Sequence, residues 1–446
     1  MGDRPRFLLE NGVCPPLFVP HYLASARTHV STSALLPASR TRIRLAALPP
    51  LALYIHLPWC VRKCPYCDFN SHELMASPRP NPLPQGERGP SSRKRELSID
   101  TERAYIDALI ADLEQSLPLV WGRRVQTIFF GGGTPSLFSA TGIDAILAAV
   151  RARLPVNADA EITLEANPGT FESEKFRAFR DSGINRLSIG IQSFNPRHLQ
   201  ALGRIHDAAE AQRAIEIAHE HFDNFNIDLM YALPAQLLDD AEADIVRALA
   251  ARAPHMSFYH LTIEPNTVFA KYPPQVPDED AAAEIHEHVE SRLVAAGYVH
   301  YETSAYARPG RESRHNVNYW RFGDYLGIGA GAHSKISFSD RITREARVRS
   351  PTEYMQRVAA GTHVVDRKDV PVAELPFEFA MNALRLSEGF AIAEFTERTG
   401  LQISAASKAL REAEAKGLIT RDHLHIRPTE RGRRFLNDLL QIFLED

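Results

Sequence analysis

Thiols are scarce in this chain: its 446 residues include four cysteines, and one of them, Cys14, stands alone near the start. So few make a poor disulfide framework for this length, which argues against a stapled secreted protein and for a reducing compartment. An excess of either charge is also missing, since 51 basic side chains face 55 acidic ones for a net charge of −4. Bulk charge therefore makes no case for nucleic acid as a partner. Long apolar runs are absent too. No uninterrupted stretch approaches the roughly 20 residues needed to cross a bilayer, and the opening MGDRPRFLLENGV has no secretory apolar region. A soluble protein is expected, long enough to bury one large domain and a smaller one.

Acids are nearly missing from residues 1–50, where Asp3 and Glu10 face six arginines. That bias suits an organelle transit segment, which would imply a mitochondrial location, or a poorly ordered extension of a cytoplasmic protein; bacterial cytoplasm is the simpler expectation. Large apolar residues are nearly missing from MASPRPNPLPQGERGPSSRKRE, whose five prolines mark a flexible insert over residues 75–98.

What is present between residues 51 and 310 is alternation. β-rich runs LALYIHL, VQTIFFGG, EITLEANP, RLSIGIQS, FNIDLMYALP and MSFYHLTIEP are separated by amphipathic stretches such as AYIDALIADLEQSL and AAEAQRAIEIAHEH. Six βα units imply a parallel sheet covered by helices. Nearly every run ends in polar or glycine-rich chemistry, and a βα barrel builds its active site at those carboxyl ends. The expected fold is therefore α/β, a partial βα barrel of about six units. Residues 311–364, dense in aromatics and glycines, read as a connecting region. Residues 365–446 pattern as helices with the short strands LITRD and LHIRP before the last one, a small winged-helix-like α+β domain whose near-neutral charge favours packing or interaction over DNA binding.

The remaining three cysteines lie in CVRKCPYCDF, residues 60–69. Cys60, Cys64 and Cys67 cannot complete a four-ligand metal shell. Either a histidine, His56 or His72, completes a structural zinc site, or a [4Fe–4S] cluster keeps one iron open for an exchangeable ligand. The following strand ends add GGGTP, LEANP, GIQSF, LGRIH and NIDLMYALP. Glycines let backbone approach a ligand closely, carboxylates accept from amines or hydroxyls, and arginine clamps a carboxylate. Each also has a plainer explanation: a turn for GGGTP, a helix N-terminal charge for Glu165, an ion-pair partner for Asp228, a satisfied core amide for Gln192.

YIHLPWCVRKCPYCDF together with GGGTP resembles the radical S-adenosylmethionine superfamily, in which the cofactor chelates the open iron and is cleaved to a 5′-deoxyadenosyl radical. From Tyr54 to about Phe435 the chain is similar to oxygen-independent coproporphyrinogen III oxidases and their paralogues. The resemblance implies a [4Fe–4S] cluster on Cys60, Cys64 and Cys67. It implies an S-adenosyl-L-methionine site formed by Tyr54, Tyr66, Gly132, Gly133, Thr134, Glu165, Gln192, Arg204 and Asp228, with weaker matches at Thr262 and His333. GIGAGAHS around His333 lacks dinucleotide-fingerprint spacing and reads as a close-packed turn.

The oxidases carry a further cysteine two residues after the third, where this chain has Phe69. It resembles instead the HemW-type heme chaperone branch, as does RHNVNYW, similar to an H-N-x-x-Y-W element linked to heme. That implies heme as a cofactor held near His315, Asn316, Tyr319 and Trp320, heme-acceptor proteins as partners, an electron donor such as a flavodoxin or ferredoxin, and membrane association during heme delivery. His315 suits an axial imidazole and equally a hydrogen-bonded packing residue. A coproporphyrinogen oxidase and a structural metal protein are the alternatives.

Overall fold

The computed structural model describes residues 43–74, 97–170 and 172–444. The six runs form parallel strands that pair in chain order: β1 (Leu51–Leu57), β2 (Val125–Gly132), β3 (Val156–Ala166), β4 (Arg186–Gln192), β5 (Phe225–Tyr231) and β6 (His255–His260). All seven residues of β1 are buried, as befits a strand covered on both faces. The outer cover is α1 (Ile99–Ser116), α2 (Ala140–Arg153), α3 (Ser173–Ser182), α4 (Ala208–His221), α5 (Leu238–Ala250) and α6 (Glu279–Ala295).

Local chemistry sets where these helices begin and end. Ser98, Ser139 and Asp278 each accept a backbone N–H of the first turn, and Asp207 forms a reciprocal capping box with Glu210. α3 stops at Gly183, whose φ of 109° is left-handed. The strand and helix side chains bury a continuous core that includes Ile55, Phe130, Leu164, Ile189, Ile227 and Phe258.

The twelve-stranded order is linear, so the barrel stays open. Beyond β6 a hairpin of β7 (Val299–Glu302) and β8 (Ala305–Ala307) extends it antiparallel. On the other edge β9 (Asp324–Ile328) runs parallel to β1, followed by antiparallel β10 (His333–Ser337), β11 (Ile342–Arg347) and β12 (Val364–Asp369). Much of the expected connecting region thus belongs to the main sheet. Its outer strands read ITREAR and VVDRKD, where charged residues hide the β pattern. Between β8 and β9 lies the short helix α7 (Arg314–Trp320), packed against β1, β2 and β9.

Helices Leu375–Ala383, Ile392–Thr399, Ser407–Ala415 and Leu436–Ile442 surround a three-stranded sheet of Phe390–Ala391, His425–Pro428 and Ile419–Arg421. This C-terminal unit has its own core, with Phe379, Phe395, Leu410 and Leu439 at its centre. Ile43 and Leu45 join that core, while residues 1–42 of the expected extension and 75–96 of the expected insert lie outside the described residues.

Candidate functional site

The loop after β1 is closed by a two-residue parallel bridge, Trp59–Cys60 with His72–Glu73, and by a turn in which Cys67 N–H donates to Cys64 O at 3.1 Å. Lys63 Nζ donates to Phe69 O at 3.1 Å and holds the loop's far side. Each sulfur has a polar neighbour: the Thr134 hydroxyl donates to Cys60 Sγ at 3.6 Å, Arg204 Nη1 donates to Cys64 Sγ at 3.6 Å, and Ser71 Oγ lies 3.7 Å from Cys67 Sγ. Burial pushes the Cys60 thiol up and the Cys67 thiol up to about 11. Such thiols ionise when a metal's charge displaces the proton. Among the described residues no three His, Cys, Asp or Glu side chains stand close enough together to hold a single metal ion.

His56, weighed above as a zinc ligand, is committed elsewhere. Its Nδ1 meets Tyr54 Oη at 2.8 Å and its Nε2 meets Asn70 O at 2.9 Å. A carbonyl only accepts, so Nε2 carries the proton and Nδ1 accepts from the tyrosine. Burial drives the His56 pKa down to about 4, which keeps the ring neutral.

GGGTP passes directly under this loop. Gly133 N–H donates to Leu57 O at 2.8 Å and Thr134 N–H to Trp59 O at 2.8 Å. A Cβ at Gly133 would stand 2.5 Å from Trp59 O, and one at Gly132 would stand 2.5 Å from the His56 ring. Gly132 also has a φ of 118°, a left-handed value that L side chains rarely adopt. Only glycine lets the end of β2 lie this close to the cysteine loop.

The next strand ends close the site. Glu165 Oε2 accepts from Gly132 N–H at 3.1 Å, rather than from a helix start. Arg204 Nη2 donates to Asn167 Oδ1 at 2.5 Å and to Gly190 O at 2.7 Å, while Asn167 Nδ2 donates to Thr134 Oγ1 at 2.8 Å. One guanidinium thus joins the cysteine loop to β3 and β4. Gln192 ends β4 at a φ of 68°, beside a register shift. Tyr66 is half-buried, its ring 6.3 Å from that of Phe269. Thr262 follows β6 and donates to Glu264 Oε1 at 2.9 Å, and His333 opens β10 beyond a turn in which Ala330 O accepts from Asn70 Nδ2 at 2.9 Å.

Asp228 accepts from Ser188 Oγ at 2.9 Å and Asn226 Nδ2 at 2.7 Å, inside the barrel rather than in a direct ion pair. Burial, and then the Asp228 charge, push Glu165 up to about 8. Burial likewise raises Asp228. Two crowded carboxylates beside three sulfurs and a glycine cradle fit a ligand that brings positive charge, such as the ammonium and sulfonium of S-adenosylmethionine.

RHNVNYW lies against Phe129 and Glu161 in the middle of β2 and β3, with Phe129 between His315 and Tyr54. His315 Nδ1 lies 2.9 Å from Glu161 Oε1, the same oxygen accepts the His315 N–H at 3.0 Å, and the imidazole stacks on Phe129 at 4.3 Å. Glu161 Oε2 accepts from Arg314 N–H at 3.1 Å. Hydrogen bonds from His315 and attraction from Arg186 outweigh burial and bring Glu161 down to about 2. Tyr319 and Trp320 are buried as well, with the Arg385 guanidinium 4.4 Å over the Trp320 ring. Asn316 is half-buried and, with Phe129, Arg186, His255 and His315, lines a small polar cavity.

Sequence reasoning missed Asn167, Glu161, Arg186 and Asn226 as members of these networks. Their signal was period-2 polarity in strands buried on both faces, as in RLSIGIQ and FNIDLMY, which turns polar side chains into the barrel.

An open βα barrel with three thiols after its first strand and a glycine cradle after its second defines a radical S-adenosylmethionine domain, and the Radical SAM superfamily profile matches residues 54–248. The HemN C-terminal domain profile matches residues 370–435. The chain is 47% identical over 404 residues to the heme chaperone HemW of Escherichia coli K12, across 90% of this chain and 100% of that one. It is 32% identical over 399 residues to heme chaperone HemW of Bacillus subtilis, across 88% and 98%. With the bovine radical S-adenosyl methionine domain-containing protein 1, mitochondrial, it shares 35% identity over 404 residues, across 87% and 86%. The chain belongs to the heme chaperone HemW family. Its fold is shared with the solved radical SAM coproporphyrinogen III oxidase HemN of E. coli, with a TM-score of 0.72 at 22% identity across 94% of this chain and 98% of that one. Membership of the radical SAM superfamily implies a [4Fe–4S] cluster and S-adenosylmethionine.

Proposed function

We propose that this protein is a heme chaperone, which binds heme and hands it to acceptor proteins. The observation that carries the reading is the likeness to heme chaperones over essentially their whole length. Phe69 supports it, because the oxidase-type resemblance calls for a further thiol there.

In this reading Cys60, Cys64 and Cys67 hold the cluster. Tyr54, Tyr66, Gly132, Gly133, Thr134, Glu165, Gln192, Arg204 and Asp228 form the cofactor pocket, with Thr262 and His333 at its margin. The bound pair supplies one-electron cleavage of a carbon–sulfur bond. The chain's own residues hold it: Gly132 and Gly133 admit it, Arg204 braces the loop, and Glu165 and Asp228 accept from its cationic and hydroxyl groups.

For heme, RHNVNYW supplies the imidazole. Its Nδ1 is engaged by Glu161, and Nε2, 3.5 Å from Ser313 Oγ, is the nitrogen that would hold the heme iron once that contact is given up. His315 is 3% exposed, so α7 must move before the ring reaches a macrocycle. A flavodoxin- or ferredoxin-type electron donor, a cytoplasmic location and membrane association during delivery complete the proposal. The bacterial HemW relatives support the location. Among the described residues no helix is long and apolar enough to cross a membrane.

The test is incubation of the anaerobically reconstituted, reduced protein with coproporphyrinogen III and S-adenosylmethionine. The chaperone reading expects no vinyl product. Turnover would move the protein to the oxidases.

A further inference from the structure

One chain of buried hydrogen bonds runs from the start of α7 into the barrel interior, to Asp228 at the middle of β5. Ser313, the residue before α7, donates its backbone N–H to Tyr301 Oη at 3.2 Å. Tyr301 Oη lies 2.8 Å from His255 Nε2, His255 Nδ1 lies 2.8 Å from Asn226 Oδ1, and Asn226 Nδ2 donates to Asp228 Oδ1 at 2.7 Å. All five residues are buried, and none is more than 8% exposed.

The direction of the chain is fixed at its Asp228 end: Asn226 Nδ2 donates to the carboxylate, so Asn226 Oδ1 accepts from His255 Nδ1 and the neutral ring accepts at Nε2 from Tyr301 Oη. A backbone N–H can only donate, so Tyr301 Oη accepts from Ser313 and its single hydrogen is free for His255 Nε2. The Ser257 hydroxyl also donates to Asn226 Oδ1, at 3.2 Å, and Asn226 Nδ2 also donates to Ser188 Oγ, at 2.8 Å. Both cross-bonds hold the amide in the same orientation.

We propose that Tyr301, His255 and Asn226 are positioning residues for the cofactor pocket, forming a directional relay that aims Asp228 and ties its placement to the helix that carries His315. The inference rests on Asp228 being a cofactor carboxylate. Asp228 accepts from Ser188 and Asn226, with the Ser257 hydroxyl also against it, and Asn226 is oriented in turn through His255 and Tyr301. Loss of the Tyr301 hydroxyl leaves His255 Nε2 without its donor and frees the ring to change tautomer or turn. The Asn226 amide then keeps only its two serine contacts, at 3.2 and 2.8 Å, and Asp228 is held less tightly.

The experiment is calorimetric titration of S-adenosylmethionine into the anaerobically reconstituted full chain, with melting temperatures alongside. Asp228→Asn is expected to weaken binding, and Tyr301→Phe to weaken it about two- to tenfold, the scale of one net hydrogen bond, with Asn226→Ala as the second relay variant. Tyr354→Phe removes a buried hydroxyl that donates to Asp112 Oδ2 at 2.8 Å outside the relay; it is expected to lower the melting temperature and leave the affinity alone. Affinity unchanged in Tyr301→Phe while Asp228→Asn weakens binding would overturn the relay, whatever Asn226→Ala does. Affinity unchanged in Asp228→Asn would overturn the cofactor role of Asp228 and the relay with it.

Discussion

Glu161 and His315 are locked together inside the barrel: one carboxylate oxygen meets both the imidazole Nδ1, at 2.9 Å, and the backbone N–H of the same histidine, at 3.0 Å. The second oxygen accepts from Arg314 N–H and lies 3.9 Å from Arg186 Nε. Glu161→Ala would leave His315, Arg186 and two helix N–H groups short of a buried partner. Breaking a buried pair by removing one member costs about 3–5 kcal/mol, so urea unfolding of Glu161→Ala is expected to show a loss on that scale. A loss below about 1 kcal/mol would mean that the pair does not hold α7 in place.

Five histidines, His56, His206, His260, His286 and His333, have pKa values lowered to about 4, chiefly by burial. A histidine lowered in the folded state binds its proton first in the unfolded chain, so its stability is present above about pH 6.5 and is lost as the pH falls towards 4. Glu165, raised to about 8, acts in the opposite sense and favours the folded state less as the pH rises from about 4.5 to 8. Asp244, raised to about 6 by burial, acts in the same sense as Glu165, so five groups against two decide the sign between pH 4.5 and 6.5. Melting temperatures of the apo protein are expected to rise across that window and to flatten or dip towards pH 8; a flat profile below pH 6.5 would contradict the buried, neutral histidines.

The same carboxyl links cofactor binding to pH. If Glu165 accepts from the cofactor's ammonium, it must ionise on binding and release a proton near neutrality. Affinity for S-adenosylmethionine is therefore expected to rise with pH up to about 8, and Glu165→Gln to flatten this dependence. Titrations in buffers of different ionisation enthalpy would reveal the released proton, and its absence would remove Glu165 from that role.

Gly133 tests the cradle. A Cβ there meets the backbone of Pro58 and Trp59 at 2.8 and 2.5 Å, and backbone cannot turn aside as a flexible side chain can. Gly133→Ala is expected to displace the cysteine loop and to lower the iron bound per chain after anaerobic reconstitution by more than half. Gly310→Ala, whose Cβ would meet nothing within 4 Å but whose φ of 76° strains an alanine locally and away from the cysteine loop, is expected to keep full iron content.

Much of this was legible in the sequence. The six barrel strands announced themselves because apolar and β-branched runs end in polar chemistry, as LALYIHL leads into the cysteines and VQTIFFGG into GGGTP. The strands of residues 342–347 and 364–369 were not legible: the exposed edge strand accepts charges such as those of Arg367 and Lys368 without a pattern, and its inner neighbour carries the buried charges of Glu345 and Arg347. The interior network escaped for a different reason. Arg186, Asn226 and His255 lie in separate strands, and only the register of neighbouring strands brings them to one cavity. RHNVNYW was recognisable as a motif, but its burial depends on Glu161, more than 150 residues earlier in the chain.

The central claim is heme carriage, and the most direct test is a heme titration of the anaerobically reconstituted protein, followed by its Soret absorbance. Saturable uptake near one heme per chain, weakened in His315→Ala, is the expected result. Absorbance that rises without saturation, as for free heme, would contradict the chaperone function.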